Sequence, residues 1–196
     1  MGTVTGKVLT ALALAGTLAA GCASESVRDE PLQIGIDGVP LDMPALAEAM
    51  LDFRGEEVQS LVGTWKDRTF AAQCVFKGDG ERLTVVFLAP QMRLATLRIA
   101  RPRSIRYERS AVVPQALEPE YAIADAAFVN LPAEKLARAL GPGWNVEDDG
   151  KRRTISVRGG DAVAEVERVD GAIRYRSLKY GYGYEVKKIS GGGEFR

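Results

Sequence analysis

Two stretches of this chain alternate apolar and polar residues with a period of two, and short turn signals punctuate each. Side chains two apart share a strand face, and turns of a few residues join antiparallel neighbours. In the first stretch Phe70, Ala72, Cys74 and Phe76 share one face, and Gly78-Asp79-Gly80 supplies a hairpin turn. Leu83, Val85 and Phe87 share one face of the returning strand, and Val86 and Leu88 make its other face apolar too. Pro90 interrupts; Met92 to Ile99 resumes as a strand whose alternation slips near Ala95 and Thr96, the mark of a bulge. After a turn at Pro102, Ile105 and Tyr107 continue the meander. In the second stretch Asp148-Asp149-Gly150-Lys151 turns between Trp144–Glu147 and Thr154–Val157. Asp170-Gly171 turns between Ala162–Val169 and Ile173–Tyr180; Tyr182, Tyr184 and Val186 share a face of the last strand. Residues 190–196 read as a frayed tail.

Helical spacing lies before and between these stretches. Asp42 is a candidate cap, with Pro44 in the first turn, and Leu46, Met50 and Phe53 recur at helical intervals to an end near Gly55. Glu56 to Leu61 is expected to add a turn. Tyr121, Ile123, Ala124, Ala127 and Phe128 make a second helical face; Pro132 opens a third helix through Leu136 and Leu140, stopped by Gly141-Pro142-Gly143. The order is helix, strands, two helices, strands. The expected fold class is α+β, one antiparallel sheet with helices segregated to one face, as a single domain over residues 41–189.

The chemistry open to such a domain is narrow. The chain has no histidine, which excludes Ser-His and Cys-His nucleophile pairs and the common zinc ligand sets. It has no G-x-S-x-G, P-loop or G-x-G-x-x-G pattern. No catalytic residue, metal or cofactor is expected. Lys and Arg number 26 against 26 Asp and Glu, a balance that offers nucleic acid no electrostatic footing. A monomer is expected.

The first residues read as an export signal. Lys7 is followed by a nearly continuous apolar run from Val8 to Ala20, too short for a span of about 20 residues. It ends in Ala19-Ala20-Gly21-Cys22, which resembles a lipobox. That family prefers Leu three residues before the Cys; here Ala19 holds that place and Leu18 lies one further back. The resemblance implies removal of residues 1–21, lipidation of Cys22 and a tether over residues 22–40. Ala23, rather than Asp, follows Cys22; by the same resemblance this implies delivery to the outer membrane, with the periplasmic domain held by N-terminal acyl chains. An ordinary signal peptide cut nearby, with Cys22 incidental, is the alternative. Cys74 then has no intramolecular partner.

Four segments carry a further resemblance: Leu83–Pro90, Arg93–Arg98, Pro119–Asp125 and Leu178–Tyr182. Over about residues 60–189 their order resembles the outer-membrane lipoprotein carrier and receptor (Lol) fold, an antiparallel incomplete β-barrel, or half-barrel, with helices packed against its concave face. More closely, the chain is similar to a family of uncharacterised bacterial lipoproteins, a domain of unknown function, some of whose members are encoded beside aryl-polyene pigment biosynthesis genes. The resemblance implies an envelope location and supplies no catalytic residues. It also makes an apolar cavity lined by Phe70, Ala72, Cys74, Phe76, Leu83, Val85, Phe87, Leu97, Ile99, Ile105 and Tyr107 a candidate site, although the same alternation would build a filled core. Leu88 and Met92 are candidates for a loop touching membrane or cargo, or for a buried tight turn. Tyr180, Tyr182 and Tyr184 suit ligand stacking or simple strand packing. Asp148 and Asp149 suit a metal or, more simply, a turn. Arg98, Arg101, Arg103, Arg106 and Arg109 suit lipid headgroups or a solvated face. Cys74 reads as buried and inert. The expected function is non-enzymatic: an envelope lipoprotein holding or transferring a lipid, polyene-lipid or acylated protein in an apolar cavity. The alternative is a structural or assembly lipoprotein with a filled core that binds an envelope protein.

Overall fold

The computed structural model describes residues 24–26, 33–65, 68–102, 104–110 and 119–195. Cys22, Ala23 and Arg103 therefore lie outside the described residues. A short strand, β1 (Ser24–Ser26), precedes the hairpin of β2 (Gln33–Ile36) and β3 (Val39–Asp42) and the helix α1 (Met43–Met50). Five strands follow: β4 (Phe53–Trp65), β5 (Arg68–Asp79), β6 (Arg82–Ala89), β7 (Met92–Ala100) and β8 (Ser104–Arg109). Helices α2 (Pro119–Asn130) and α3 (Ala133–Leu140) come next. The last strands are β9 (Trp144–Asp148), β10 (Arg152–Val157), β11 (Ala162–Val169), β12 (Ala172–Ser177), β13 (Tyr182–Gly191) and β14 (Glu194–Phe195).

The expected α+β class is present: one antiparallel sheet that does not close, with the helices packed together over one of its faces. The strand order is β1-β8-β7-β6-β5-β4-β13-β12-β11-β10-β9, with β14 also paired to β4. Two meanders, β4 to β8 and β9 to β13, are joined by the β4–β13 pairing, which aligns Leu61 with Val186 and Gly63 with Tyr184. The core is continuous across that seam, from Leu83, Val85, Leu97 and Ile99 to Ile155, Val166 and Tyr175. Over it lie Leu46 and Met50 of α1, Ile123, Ala127 and Phe128 of α2, and Leu136 and Leu140 of α3.

The helix signals work as chemistry predicts. Asp42 caps α1 by accepting the Ala45 N–H at 2.9 Å, with Pro44 in the first turn. α1 stops at Met50, however, and Phe53 opens β4 rather than extending the helix. The expected extra turn over Glu56 to Leu61 is strand too. The inward row of β4 is Phe53, Gly55, Glu57, Gln59, Leu61 and Gly63, so a central strand shows no apolar alternation. The slip predicted near Ala95 is a bulge at Leu94: Phe87 pairs with Ala95 and Leu88 with Arg93.

The two ends also depart from expectation. Within the expected tether, residues 33–42 form a hairpin whose Ile36 and Leu41 are buried in the core. The Trp144 indole N–H donates to the Pro40 carbonyl at 3.2 Å and ties this hairpin to β9. The expected frayed tail instead extends β13 to Gly191 and forms β14, whose Phe195 ring packs 5.0 Å from that of Phe53. Both departures share a cause: one or two apolar side chains with a core to reach order a short polar segment.

Candidate functional site

The inner face of the sheet divides into two zones. Cys74, Phe76, Leu83, Val85, Leu97, Ile99 and Tyr107 are all buried, and they pack in the main core. Further along the same face burial fails: Leu61, Ala72 and Phe87 are half-buried and Phe70 is 38% exposed. Leu61 pairs with Ala72 across the strands, Phe70 follows Ala72 on the same face, and Phe87 pairs with Cys74. These four form a contiguous apolar strip at the edge of the core. Ile105 is half-buried against the core. Phe70 lies over Gly63, where a Cβ would meet its ring at 2.6 Å, the Tyr184 Cβ at 2.6 Å and the Gly183 carbonyl at 2.5 Å.

A second feature lies under α2. Its inward side carries two carboxylates: Glu120, which is 4% exposed, and Asp125, which is half-buried and placed one turn from Tyr121 and Phe128. The Tyr175 hydroxyl donates to Asp125 Oδ1 at 2.5 Å and the Tyr182 hydroxyl to Oδ2 at 2.6 Å. Burial pushes the Asp125 acid up to about 7, and the two phenol hydrogen bonds oppose that rise without cancelling it. The Tyr175 ring lies 4.9 Å from Tyr184 and 6.1 Å from Tyr182, so the phenols pack as a stack behind the carboxyl.

Asp125 sits in a crevice. Tyr121, Ala124, Asp125 and Phe128 of α2 form one wall, and Val163, Tyr175 and Ser177 of the sheet form the other. Ile36 and Leu41 of the β2–β3 hairpin and Tyr180 of the following turn complete it. Its enclosed floor has room for about one water molecule. At the mouth, Tyr121 and Tyr180 meet edge to face at 4.8 Å, and Lys179 pairs with Asp37 from the hairpin turn.

The remaining candidates fall elsewhere. Pro90 and Gln91 make a two-residue turn, Gln91 with φ of 68°; Met92 at the tip is 43% exposed and Leu88 is half-buried. The arginines do not form one cluster. Arg98 pairs with Glu108, whereas Arg101 donates to Glu48 of α1 at 2.8 Å and to Glu81 at 2.8 Å. Asp149 accepts the Lys151 and Arg152 N–H groups at 2.8 and 2.7 Å, as a turn residue does. Asp148 accepts from Arg153 Nε at 2.7 Å and pairs with Arg168 at 3.2 Å. Burial alone would raise the Asp148 acid, but Arg153 and the Gly150 N–H outweigh it and hold the carboxyl below its usual range. Buried Arg153 also donates to the Phe128 carbonyl at 2.6 Å and anchors α2 to the sheet. Burial, helped by Glu57, raises the Cys74 thiol far above its ordinary value.

The model of one protein family, described as a protein of unknown function, matches residues 56–190. The chain belongs to that family, DUF3261. The DUF3261 match runs from β4 through most of β13, so it takes in Asp125 and its tyrosines but not the β2–β3 hairpin that closes the crevice. Among curated proteins none matches the chain. Several solved structures are similar to it, two of which are as follows. A LolA superfamily protein, NE2245 from Nitrosomonas europaea, has a TM-score of 0.36 at 11% identity over 79% of this chain and 92% of that one. A DUF1329 family protein from Desulfovibrio piger has a TM-score of 0.31 at 8% identity, also over 79% and 92%.

Asp125 is the candidate residue that the sequence reading passed over. Its signal was a carboxylate flanking the apolar stripe of a helix, one turn from Tyr121. The partners, Tyr175 and Tyr182, stand 50 and 57 residues away and are brought to it by the sheet.

Proposed function

We propose that this chain is an envelope lipoprotein that binds the apolar part of a lipid, a polyene-lipid or an acylated protein along its inner sheet face. The observation that carries this reading is the strip of Leu61, Phe70, Ala72 and Phe87, which continues the core face but is left partly open. An acyl chain laid there would gain about 25 cal/mol for each Å² of apolar surface removed from water. Lipidation at Cys22 would hold the domain at the periplasmic face of the outer membrane and bring the strip to a membrane surface. Met92, exposed at the tip of the β6–β7 hairpin, is the side chain we assign to membrane or cargo contact, with Leu88 behind it. No catalytic step is needed for such a role.

The test uses the full-length protein. Gentle purification followed by native mass spectrometry should reveal co-purifying lipid, and parinaric acid, a fluorescent polyene fatty acid, should bind in solution. Phe70→Asp should weaken parinaric acid binding at least about tenfold, since a charge would have to be desolvated in the strip. Unchanged binding by a folded Phe70→Asp protein would count against the strip. A Cys22→Ser protein should move from the membrane to the soluble fraction.

A further inference from the structure

Three carboxylates face inward, Asp125, Asp148 and the buried Glu120 of α2, and the first two are treated differently. Asp148 is matched by Arg153 and Arg168. Asp125 forms no ion pair among the described residues; only phenol hydroxyls meet it. A carboxylate in such a place is costly when ionised unless a cation joins it. The space in front of it is lined by the rings of Tyr121, Phe128, Tyr175 and Tyr180 and by aliphatic side chains, with Ser177 the other polar side chain beside Asp125. Ser177 is buried opposite Tyr182 on the neighbouring strand, the Tyr175 ring lines the crevice from the buried side, and Tyr121 and Tyr180 meet at the opening. Aromatic faces with a carboxylate suit a cation. The room for about one water also suits an ammonium, which is of similar size, and is too small for a trimethylammonium group.

We infer that the α2 crevice is a primary-ammonium site, with Asp125 as counter-ion and Tyr121, Tyr175 and Tyr180 as its aromatic wall. The ligand class is a primary amine, carried either by an aminophospholipid headgroup or by a free alkylamine. The three N–H donors of the ammonium would be shared by the Asp125 carboxylate and the hydroxyl oxygens of Ser177 and Tyr175. Lys179, which follows Leu178 and precedes the lining Tyr180, is paired with Asp37 of the hairpin turn and so engaged outside the crevice. Tyr182 and Tyr184 complete the titratable groups facing Asp125 from the sheet, and both are phenols held neutral by burial. Ammonium binding therefore depends on ionisation of Asp125 alone. The site is separate from the strip at Phe70 and does not depend on it.

Titration calorimetry on the full-length protein, with four probes, tests the site: dihexanoyl phosphatidylethanolamine, dihexanoyl phosphatidylcholine, ethanolamine and ethylamine. The ethanolamine lipid should bind at least about tenfold more tightly than the choline lipid. Its affinity should rise by about tenfold per pH unit up to pH 7 and then level, as linkage to one acid requires. Asp125→Asn, which keeps the shape but leaves one accepting oxygen in place of two, should remove that preference and the pH slope. Tyr180→Leu, at a rim position that is 37% exposed, should weaken binding several-fold without unfolding the protein. Binding of the lipid with silent free amines assigns the site to a headgroup; equal binding of ethylamine assigns it to free amines. Equal affinity for the two lipids, or an unchanged Asp125→Asn, overturns the inference while leaving acyl binding at Phe70 a separate question.

Discussion

Asp125 shows how burial and hydrogen bonding compete at a single group. Burial disfavours the carboxylate, two phenol donors favour it, and burial wins, leaving an acid that titrates at about 7 instead of near 4. The folded protein therefore holds a proton that the unfolded chain has released between these values. The contribution of Asp125 to stability is then greatest below pH 4, falls as pH rises towards 7 and levels above it, by a few kcal/mol at about 1.4 kcal/mol per unit. Urea titrations at pH 5 and pH 8 should show this loss in the wild type and its near absence in Asp125→Asn; an equal loss in both would remove Asp125 as the cause. Arg153 is the opposite case, a buried cation with a buried partner. Arg153→Ala strands the Phe128 carbonyl and leaves Asp148 only Arg168 and the Gly150 N–H, and it should cost about 3 kcal/mol in urea denaturation. Gly63 is required by close approach. Gly63→Ala drives a methyl against the Gly183 carbonyl and should destabilise by about 2 kcal/mol, read as a fall in Tm.

At the scale of elements, the hairpins follow their turn residues closely. β11 ends at Val169 and β12 begins at Ala172, around Asp170 and Gly171, whose φ angles are 50° and 76°. Such angles favour Asp and Gly, so the turn was legible. β4 was not, because its inward row includes Glu57 and Gln59. Gln59 is buried only because its amide donates to Glu57 at 2.7 Å and to Asn130 of α2 at 3.3 Å. Glu57 in turn pairs with Lys188 at 2.9 Å. No local window contains those partners. The carboxy-terminal strand β14 behaves likewise: it pairs with β4 and packs Phe195 on Phe53, both far along the chain. Phe195→Ala should lose about 1 kcal/mol and raise amide exchange at Arg54, where β14 pairs.

For the molecule as a whole, the β4–β13 seam is decisive. Separately, the two meanders would each present an edge strand with unpaired backbone groups. Joined, they share one core, so they should unfold together. Far-UV dichroism and fluorescence of Trp144, buried in the second meander, should report coincident urea transitions. Two separated transitions would mean that the seam does not couple the halves. The open sheet is the product of this joining, whereas the strip lies within the first meander, on β4, β5 and β6, and the crevice draws on α2, the β2–β3 hairpin and the second meander.

The sequence by itself determined the hairpins of both meanders, the cap of α1, the two central helices, the absence of histidine chemistry and the face shared by Phe70, Ala72, Cys74 and Phe76. All of these rest on interactions between residues close in the chain or on composition. Tertiary structure alone decided which part of that face is core and which is left open, because exposure depends on where the helices end. It also made strands of the polar segments around β4, the β2–β3 hairpin and β14, whose stabilising partners lie far along the chain. It likewise set Asp125 against Tyr175 and Tyr182, since a buried carboxylate has meaning only once its neighbours are fixed.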